Sequence, residues 1–313
     1  MNEKFLPVLK GIISSVIPLS RFRKPPPTGG TINSRYCYSV WLRHLVTAYN
    51  NGLISTVPGT LMELGPGDSI GLGLAALLSG VKKYNALDIY QYPDAKRNLA
   101  IFDELLNLFI DHSPIPGDET FNNVYPLLTG YDFPLHIITD ELLDQSLQHE
   151  RKIREEINKP GERSNEFIFY NTDGNYDAFI EDGSVDMIIS QSVLEYVPEP
   201  EAAYQAMYRW LKKGGIMSHT IDLSSHGLTK EWNGHWVYTN RQWNLYKGRR
   251  FITLNRAPAS LHISLMKKTG FEVIHQTNIK RQNNIALPAL VNGYNKLTEE
   301  DILTGSLFVQ CRK

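Results

Sequence analysis

Apolar residues recur along the chain at two periods, and the alternation between those periods lays out an α/β protein. Tyr38, Trp41, Leu42, Leu45 and Tyr49 fall three or four apart, the spacing of one helical face, and the pattern stops near Asn50-Asn51-Gly52. Thr60-Leu61-Met62-Glu63-Leu64 is a short apolar run bounded by glycine and proline, which suits a strand buried on both faces. The small apolar stretch from Gly71 to Leu78 predicts a helix ending at Gly80. Residues 83–89 predict a second strand ending in Asp88. These three pieces make a strand–helix–strand unit.

From about Tyr92 to Ser164 the strand pattern lapses. Leu99, Phe102, Leu106 and Phe109 keep helical spacing, Pro114 to Pro116 mark a turn, and a charged helix is expected around Gln148 to Asn158. The interval is too long for an ordinary connection. It predicts an inserted helical subdomain over the C-terminal edge of the sheet, where insertions shape substrate access. Strands resume at 166–170 and 185–190, a helix at 201–213 closes on Gly214-Gly215, and a strand follows at 216–221. A second insertion, rich in Trp, His and Arg, covers about 224–256. A helix at 261–268 ends at Gly270, and strands at 271–274 and 306–311 complete the series. The expected fold is α/β: a doubly wound, seven-stranded, mostly parallel sheet with helical insertions and no internal repeat.

Residues 1–30 read differently from the domain at 31–313. Phe5, Val8, Leu9, Ile12, Val16 and Leu19 build an apolar stripe, interrupted by Pro7, Gly11 and Pro18. The run is too short to span a bilayer and lacks a small-residue cleavage pattern, so neither a transmembrane helix nor a signal peptide is expected. The stripe either caps the protein's own core or lies in a membrane interface, helped by Arg21, Arg23 and Lys24; the second reading gives a peripheral contact through residues 1–24. Pro25-Pro26-Pro27-Thr28-Gly29-Gly30 is a stiff linker with a flexible end.

Composition narrows the class without choosing a function. Apolar residues make up 42% and charged residues 21% of the 313, ordinary for a soluble globular protein. A formal net charge of -1 provides no global field to recruit nucleic acid. The two cysteines, Cys37 and Cys311, lie at opposite ends of the chain, which argues against a disulfide scaffold or a thiolate metal site and fits the reducing cytoplasm. No clustered His, Asp or Glu set points to a metal. Oligomeric state is left open.

The chemistry begins at the turn after the first strand. Gly65-Pro66-Gly67 lets a ligand approach the backbone at a helix N-terminus, but the nicotinamide fingerprint needs a glycine where Ile70 stands, and the next is Gly71. Glu63 precedes the turn by two residues. Its carboxylate would repel a pyrophosphate and attract a cationic amine. Asp88 follows some twenty residues after the turn, where a carboxylate accepts two hydrogen bonds from a ribose diol.

Glu63-Leu64-Gly65-Pro66-Gly67, Asp88, Asp182-Gly183-Ser184-Val185-Asp186-Met187-Ile188-Ile189-Ser190 with Val193-Leu194-Glu195-Tyr196-Val197, and Trp210-Leu211-Lys212-Lys213-Gly214-Gly215 together resemble the class I S-adenosylmethionine (SAM)-dependent methyltransferase family in order and spacing. The resemblance covers about residues 60–90, 165–222 and 260–313. It implies SAM as cofactor, with Glu63 facing the methionine moiety and Asp88 the ribose. By the same resemblance Asn175 and Tyr176 fall where adenine is contacted, with Asp173 competing, and Ser190 and Gln191 line the cofactor near its sulfonium. Many relatives carry His where this chain has Tyr196.

Methyl transfer from a sulfonium needs alignment more than a catalytic triad, although an alcohol acceptor gains from a general base. The candidates are His226 with Asp222 as its orienter, ahead of His219 and His235. Trp232-Asn233-Gly234-His235-Trp236-Val237-Tyr238, with Arg241, Trp243 and Tyr246, forms either a stacking surface for sugars or a small aromatic core fixing the insertion to the sheet. The helix carrying Arg35, Tyr36, Tyr38 and Arg43 is a candidate to close over the cofactor, and the wider chain, including Tyr36-Cys37-Tyr38-Ser39-Val40-Trp41-Leu42-Arg43-His44, is similar to methyltransferases of bacterial surface-glycan and secondary-metabolite pathways. The expected activity is O-methylation of a glycan precursor or other polar small molecule. The alternatives are N- or C-methylation of a natural product, and a non-catalytic SAM-binding protein docked to membrane.

Overall fold

The computed structural model describes residues 30–313 apart from 92–93, 175, 248–252, 287–288 and 292. The N-terminal stripe and most of the linker, residues 1–29, and Asn175 therefore lie outside the described residues. Helix α1 (Ser34–Asn50) leads into β1 (Thr60–Leu64), α2 (Gly71–Leu78) and β2 (Lys83–Leu87). Then come α3 (Ala95–Ile110), α4 (Asp140–Leu147), α5 (Glu150–Ile157), β3 (Ile168–Asn171) and β4 (Val185–Gln191). The remainder is α6 (Pro200–Trp210), β5 (Leu211–Asp222), α7 (Asn240–Lys247), α8 (Ala259–Thr269), β6 (Glu272–Lys280), α9 (Glu299–Leu303) and β7 (Thr304–Arg312).

The seven strands form one sheet in the order β3-β2-β1-β4-β5-β7-β6. Strands β1 to β5 pair in parallel, and β7 runs antiparallel to both β5 and β6. Alternate strand residues face opposite ways. Leu61, Met187 and Ile216 join the core on one face, while Met62, Ile188 and Met217 join the core on the other. Helices α1 to α5 cover the first face and α6 and α8 the second. The result is the doubly wound, mostly parallel α/β sheet that the pattern predicts.

Some element ends differ from the pattern. Helix α6 stops at Trp210 rather than near residue 213, because Leu211 is buried and already pairs with Val185 across a bulge. Strand β6 reaches Lys280, well beyond the expected 271–274. It is the sheet edge and half-exposed, so polar His275, Gln276, Thr277 and Asn278 continue a strand that an apolar pattern does not show.

The interval 92–164 carries α3, α4 and α5, and these helices pack on a face of the sheet. Phe102, Phe109, Leu143 and Ile153 share a core with Leu61 and Ala86, rather than forming a subdomain over the strand ends. The irregular stretch between α3 and α4 is what reaches those ends: Thr220 Oγ1 donates to the Tyr125 carbonyl at 3.1 Å. That stretch is pinned from below by Arg43. This fully buried guanidinium donates to the carbonyls of Pro116 (2.9 Å), Val124 (2.6 Å) and Pro126 (3.2 Å), and pairs with Asp118 at 3.2 Å. In the second insertion Trp236 packs with Ile285 and Ile302, while Tyr238, Trp243 and Tyr246 cluster with Leu254. The aromatic segment is a packed core, and no sugar-stacking face is built from these four rings.

Candidate active site

The C-terminal ends of β1, β2 and β4 open into a cavity of about 290 Å³, at the small end for a ligand pocket. Its walls include Glu63, the Gly65-Pro66-Gly67 turn, Asp88 and Gln191, four features that the sequence singles out. Gly65 and Gly67 have φ of +64° and +71°, the left-handed region that side chains disfavour. A Cβ on Gly65 would also stand 2.7 Å from Val193 Cγ2, and the Gly65 N–H donates to the Leu87 carbonyl at 2.8 Å. The turn is thus held open by its conformation and tied to the neighbouring strand.

Glu63 is buried at the end of β1 and accepts a short hydrogen bond from the Tyr84 hydroxyl. Burial pushes its pKa up to about 8, the Tyr84 bond opposing and the nearby Asp88 adding to the rise. Tyr84 reaches it from β2 by passing under α2 at Gly73, where a Cβ would come within 2.1 Å of the tyrosine ring. Asp88 Oδ1 accepts from the N–H groups of Ile89 (2.7 Å) and Tyr90 (3.2 Å), and Oδ2 accepts from Gly67 at a long 3.4 Å. Burial raises the Asp88 pKa as well, against those backbone bonds. Among the described residues the cavity wall carries two carboxylates and no Lys or Arg. Such a wall disfavours a pyrophosphate and favours a ligand with a cation and a diol.

The other expected residues are placed less directly. Gln191 lines the cavity, but Ser190 does not: its hydroxyl meets His219 Nδ1 at 2.8 Å inside the sheet. Burial depresses His219 to about 3, so that ring is neutral. Tyr176 turns its hydroxyl onto the Asp88 carbonyl at 2.7 Å and supports the β2 end rather than the wall. His226 Nε2 lies 3.9 Å from Asp222 and 3.7 Å from the buried Glu195, outside the cavity lining. Its ring packs on Tyr196, centroids 5.3 Å apart, and Tyr196 is part of the wall. Asp222 Oδ1 accepts from the Ser224 N–H at 2.9 Å and faces Arg281 at 3.6 Å. His235 is buried and depressed to about 3. From α1, Tyr36 enters the wall, whereas Tyr38 and Arg43 are buried. The cavity also uses Val193, from the Val193-Leu194-Glu195-Tyr196-Val197 motif, and Thr31, Tyr90 and Ser192, which the sequence did not single out. Tyr84 was missed too, although Gly73 inside the preceding helix pattern was a signal that something bulky passes beneath it.

The family model for a methyltransferase domain matches residues 143–218, from α4 through the first half of β5. A search of curated protein sequences finds no match. Similar solved structures include an S-adenosylmethionine-dependent methyltransferase from Mesorhizobium loti, at 12% identity over 84% of this chain and 94% of that one, TM-score 0.41. A Haemonchus contortus phosphoethanolamine N-methyltransferase is 14% identical over 87% of this chain and 52% of that one, TM-score 0.42. A geranyl diphosphate methyltransferase in complex with SAM is 12% identical over 89% and 84%, TM-score 0.44.

A seven-stranded Rossmann-like sheet here carries an open glycine turn and two carboxylates at adjacent strand ends. With the matched methyltransferase domain over residues 143–218, the site resembles that of the class I SAM-dependent methyltransferases. Among the described residues no helix is long and apolar enough to cross a membrane.

Proposed function

We propose that the cavity seats SAM with its ammonium at Glu63 and its ribose at Asp88, and that the methyl goes to a hydroxyl of a polar small molecule. The observation that carries this is Glu63: a buried carboxylate facing a cavity, with a tyrosine hydroxyl and, among the described residues, no cation as its partner. SAM, when bound, supplies an electrophilic methyl on a sulfonium, open to in-line displacement. The Gly65-Pro66-Gly67 turn lets the ligand lie against the backbone, and Asp88 Oδ2, held only by the long Gly67 bond, offers lone pairs to a diol.

With the ribose over β2 and the amine over β1, the reacting end faces β4 and β5, where Gln191 and Tyr196 form the wall. An acceptor entering past Tyr196 approaches His226. His226 takes the hydroxyl proton, and Asp222 stabilises the imidazolium. Because Trp236, Tyr238, Trp243 and Tyr246 are buried, no stacking platform favours a glycan over other hydroxylated acceptors.

The test is S-adenosylhomocysteine formation from SAM with pooled hydroxylated metabolites, followed by identification of the methylated product. His226→Ala is expected to lower kcat about 100-fold on the acceptor found, within the usual range for a general base. Unchanged kcat in that variant would remove His226 from the mechanism.

A further inference from the structure

Gln191 reaches the cavity from the end of β4, and the side of its amide that faces the ligand is set by a chain of buried groups behind it. The chain starts at the backbone carbonyl of His44, which accepts from Gln310 Nε2 at 3.3 Å. A carbonyl only accepts, so this contact fixes which end of the Gln310 amide points inward. Gln310 Oε1, on the other side, accepts from Asn51 Nδ2 at 2.9 Å, consistent with the same orientation. Gln310 Nε2 also donates to Ser218 Oγ at 3.0 Å. Ser218 is fully buried, and its own proton needs an acceptor. His44 Nδ1, 2.7 Å away, provides it. An Nδ1 that accepts places the ring proton on Nε2, which then donates to Gln191 Oε1 at 3.2 Å.

Burial lowers the His44 pKa to about 4, so the ring stays neutral and keeps one proton to place. No other assignment satisfies every buried donor in this chain. Were Nδ1 protonated, the Ser218 hydroxyl proton would be stranded in the core.

We infer that His44 is a positioning residue which, through Ser218 and Gln310, holds Gln191 with its NH2 group toward the cavity, so that this wall recognises a hydrogen-bond-accepting oxygen at the amino-acid end of the bound nucleoside. The registers agree with this placement. Glu63 pairs with Ile189 and Leu64 with Ser190, which puts Gln191 level with Gly65, just beyond the carboxylate that attracts the ammonium. The ligand carboxylate, repelled by Glu63, meets donors at Gln191. The inference rests on the reading of the cavity as the SAM seat.

Two measurements test it. In long-range 1H–15N spectra of the wild-type protein, His44 is expected as the neutral Nε2–H tautomer; the Nδ1–H tautomer would overturn the inference, with or without ligand. The second measurement is calorimetric titration with S-adenosylhomocysteine and with 5′-methylthioadenosine, which lacks the amino-acid end. Gln191→Glu is expected to weaken the first ligand at least tenfold and leave the second unchanged. His44→Phe is expected to weaken the first ligand severalfold in the wild-type background and not at all in Gln191→Ala. Equal losses in both backgrounds would mean that His44 acts only through packing and would overturn the proposal. Equal weakening of both ligands by Gln191→Glu would overturn the assignment to the amino-acid end. If the wild-type protein binds neither ligand, the cofactor seat itself is wrong, while the tautomer measurement still decides the orientation of Gln191.

Discussion

Glu63 and Asp88 sit on adjacent parallel strands, yet each is held differently. Asp88 spends one oxygen on two backbone N–H groups and keeps the other for the cavity, so Asp88→Ala removes both a ligand contact and a loop anchor. Bonds to charged groups are worth about 1.5–3 kcal/mol, so that variant is expected to bind S-adenosylhomocysteine about 10–100-fold more weakly by calorimetry. Affinity equal to wild type would remove Asp88 from the ribose site. Glu63 carries a pH signature. Its folded pKa, about 8, lies above the ordinary 4.5, so the folded protein binds this proton more tightly than the unfolded chain. The ligand-free protein is therefore expected to lose stability relative to Glu63→Gln as pH rises from about 4.5 to about 8, a difference that urea titrations at several pH values measure. The identity of both carboxylates was legible in the sequence. The partner of Glu63 was not, because Tyr84 belongs to a different strand and its role depends on a contact across the sheet.

At the level of elements, two packing contacts hold the site's frame. Helix α2 lies so close to Tyr84 that Gly73→Ala would drive a methyl into the ring, and neither the helix nor the buried strand has room to retreat. Overpacking of this kind typically costs 1–3 kcal/mol, so we expect a loss of about 2 kcal/mol in urea unfolding together with weaker ligand binding as Tyr84 leaves Glu63. Arg43 holds the stretch from Pro116 to Pro126 through three carbonyls. Arg43→Met keeps the volume and strands those acceptors, and it is expected to cost about 3 kcal/mol and to speed proteolysis between α3 and α4. Periodicity located α1 and α3 because each shows a continuous apolar face, whereas α2 stood out as a stretch that is apolar all round. It misjudged β6, an edge strand of polar residues, and the end of α6, where pairing with β4 takes over before the helical pattern ends. It also sent the helices after β2 to the wrong place: a long interval signals an insertion, but only tertiary packing says which surface it covers.

Across the whole molecule the sheet acts as a ruler. Parallel strands stand roughly 4.8 Å apart, so the order β2-β1-β4-β5 lays out Asp88, Glu63, Gln191 and the His226 cluster along one edge. Glu63, the glycine turn and Asp88 were legible in local sequence, since they are motifs next to their own strands. Other expected positions were not. Ser190 turns into the sheet, Tyr176 supports β2 from outside the wall, and the aromatic insertion closes on itself as a core, all outcomes of side-chain direction rather than residue type. In the proposed seat Glu63 gives up its proton to receive the ligand's ammonium. Calorimetric titration with S-adenosylhomocysteine between pH 6 and 8 tests it most directly. A carboxyl with pKa about 8 that ionises on binding releases up to one proton, so affinity is expected to rise up to tenfold per pH unit, with proton release seen in buffers of different ionisation enthalpy, and both effects absent in Glu63→Gln. An affinity that stays flat over that range in the wild-type protein would contradict the account.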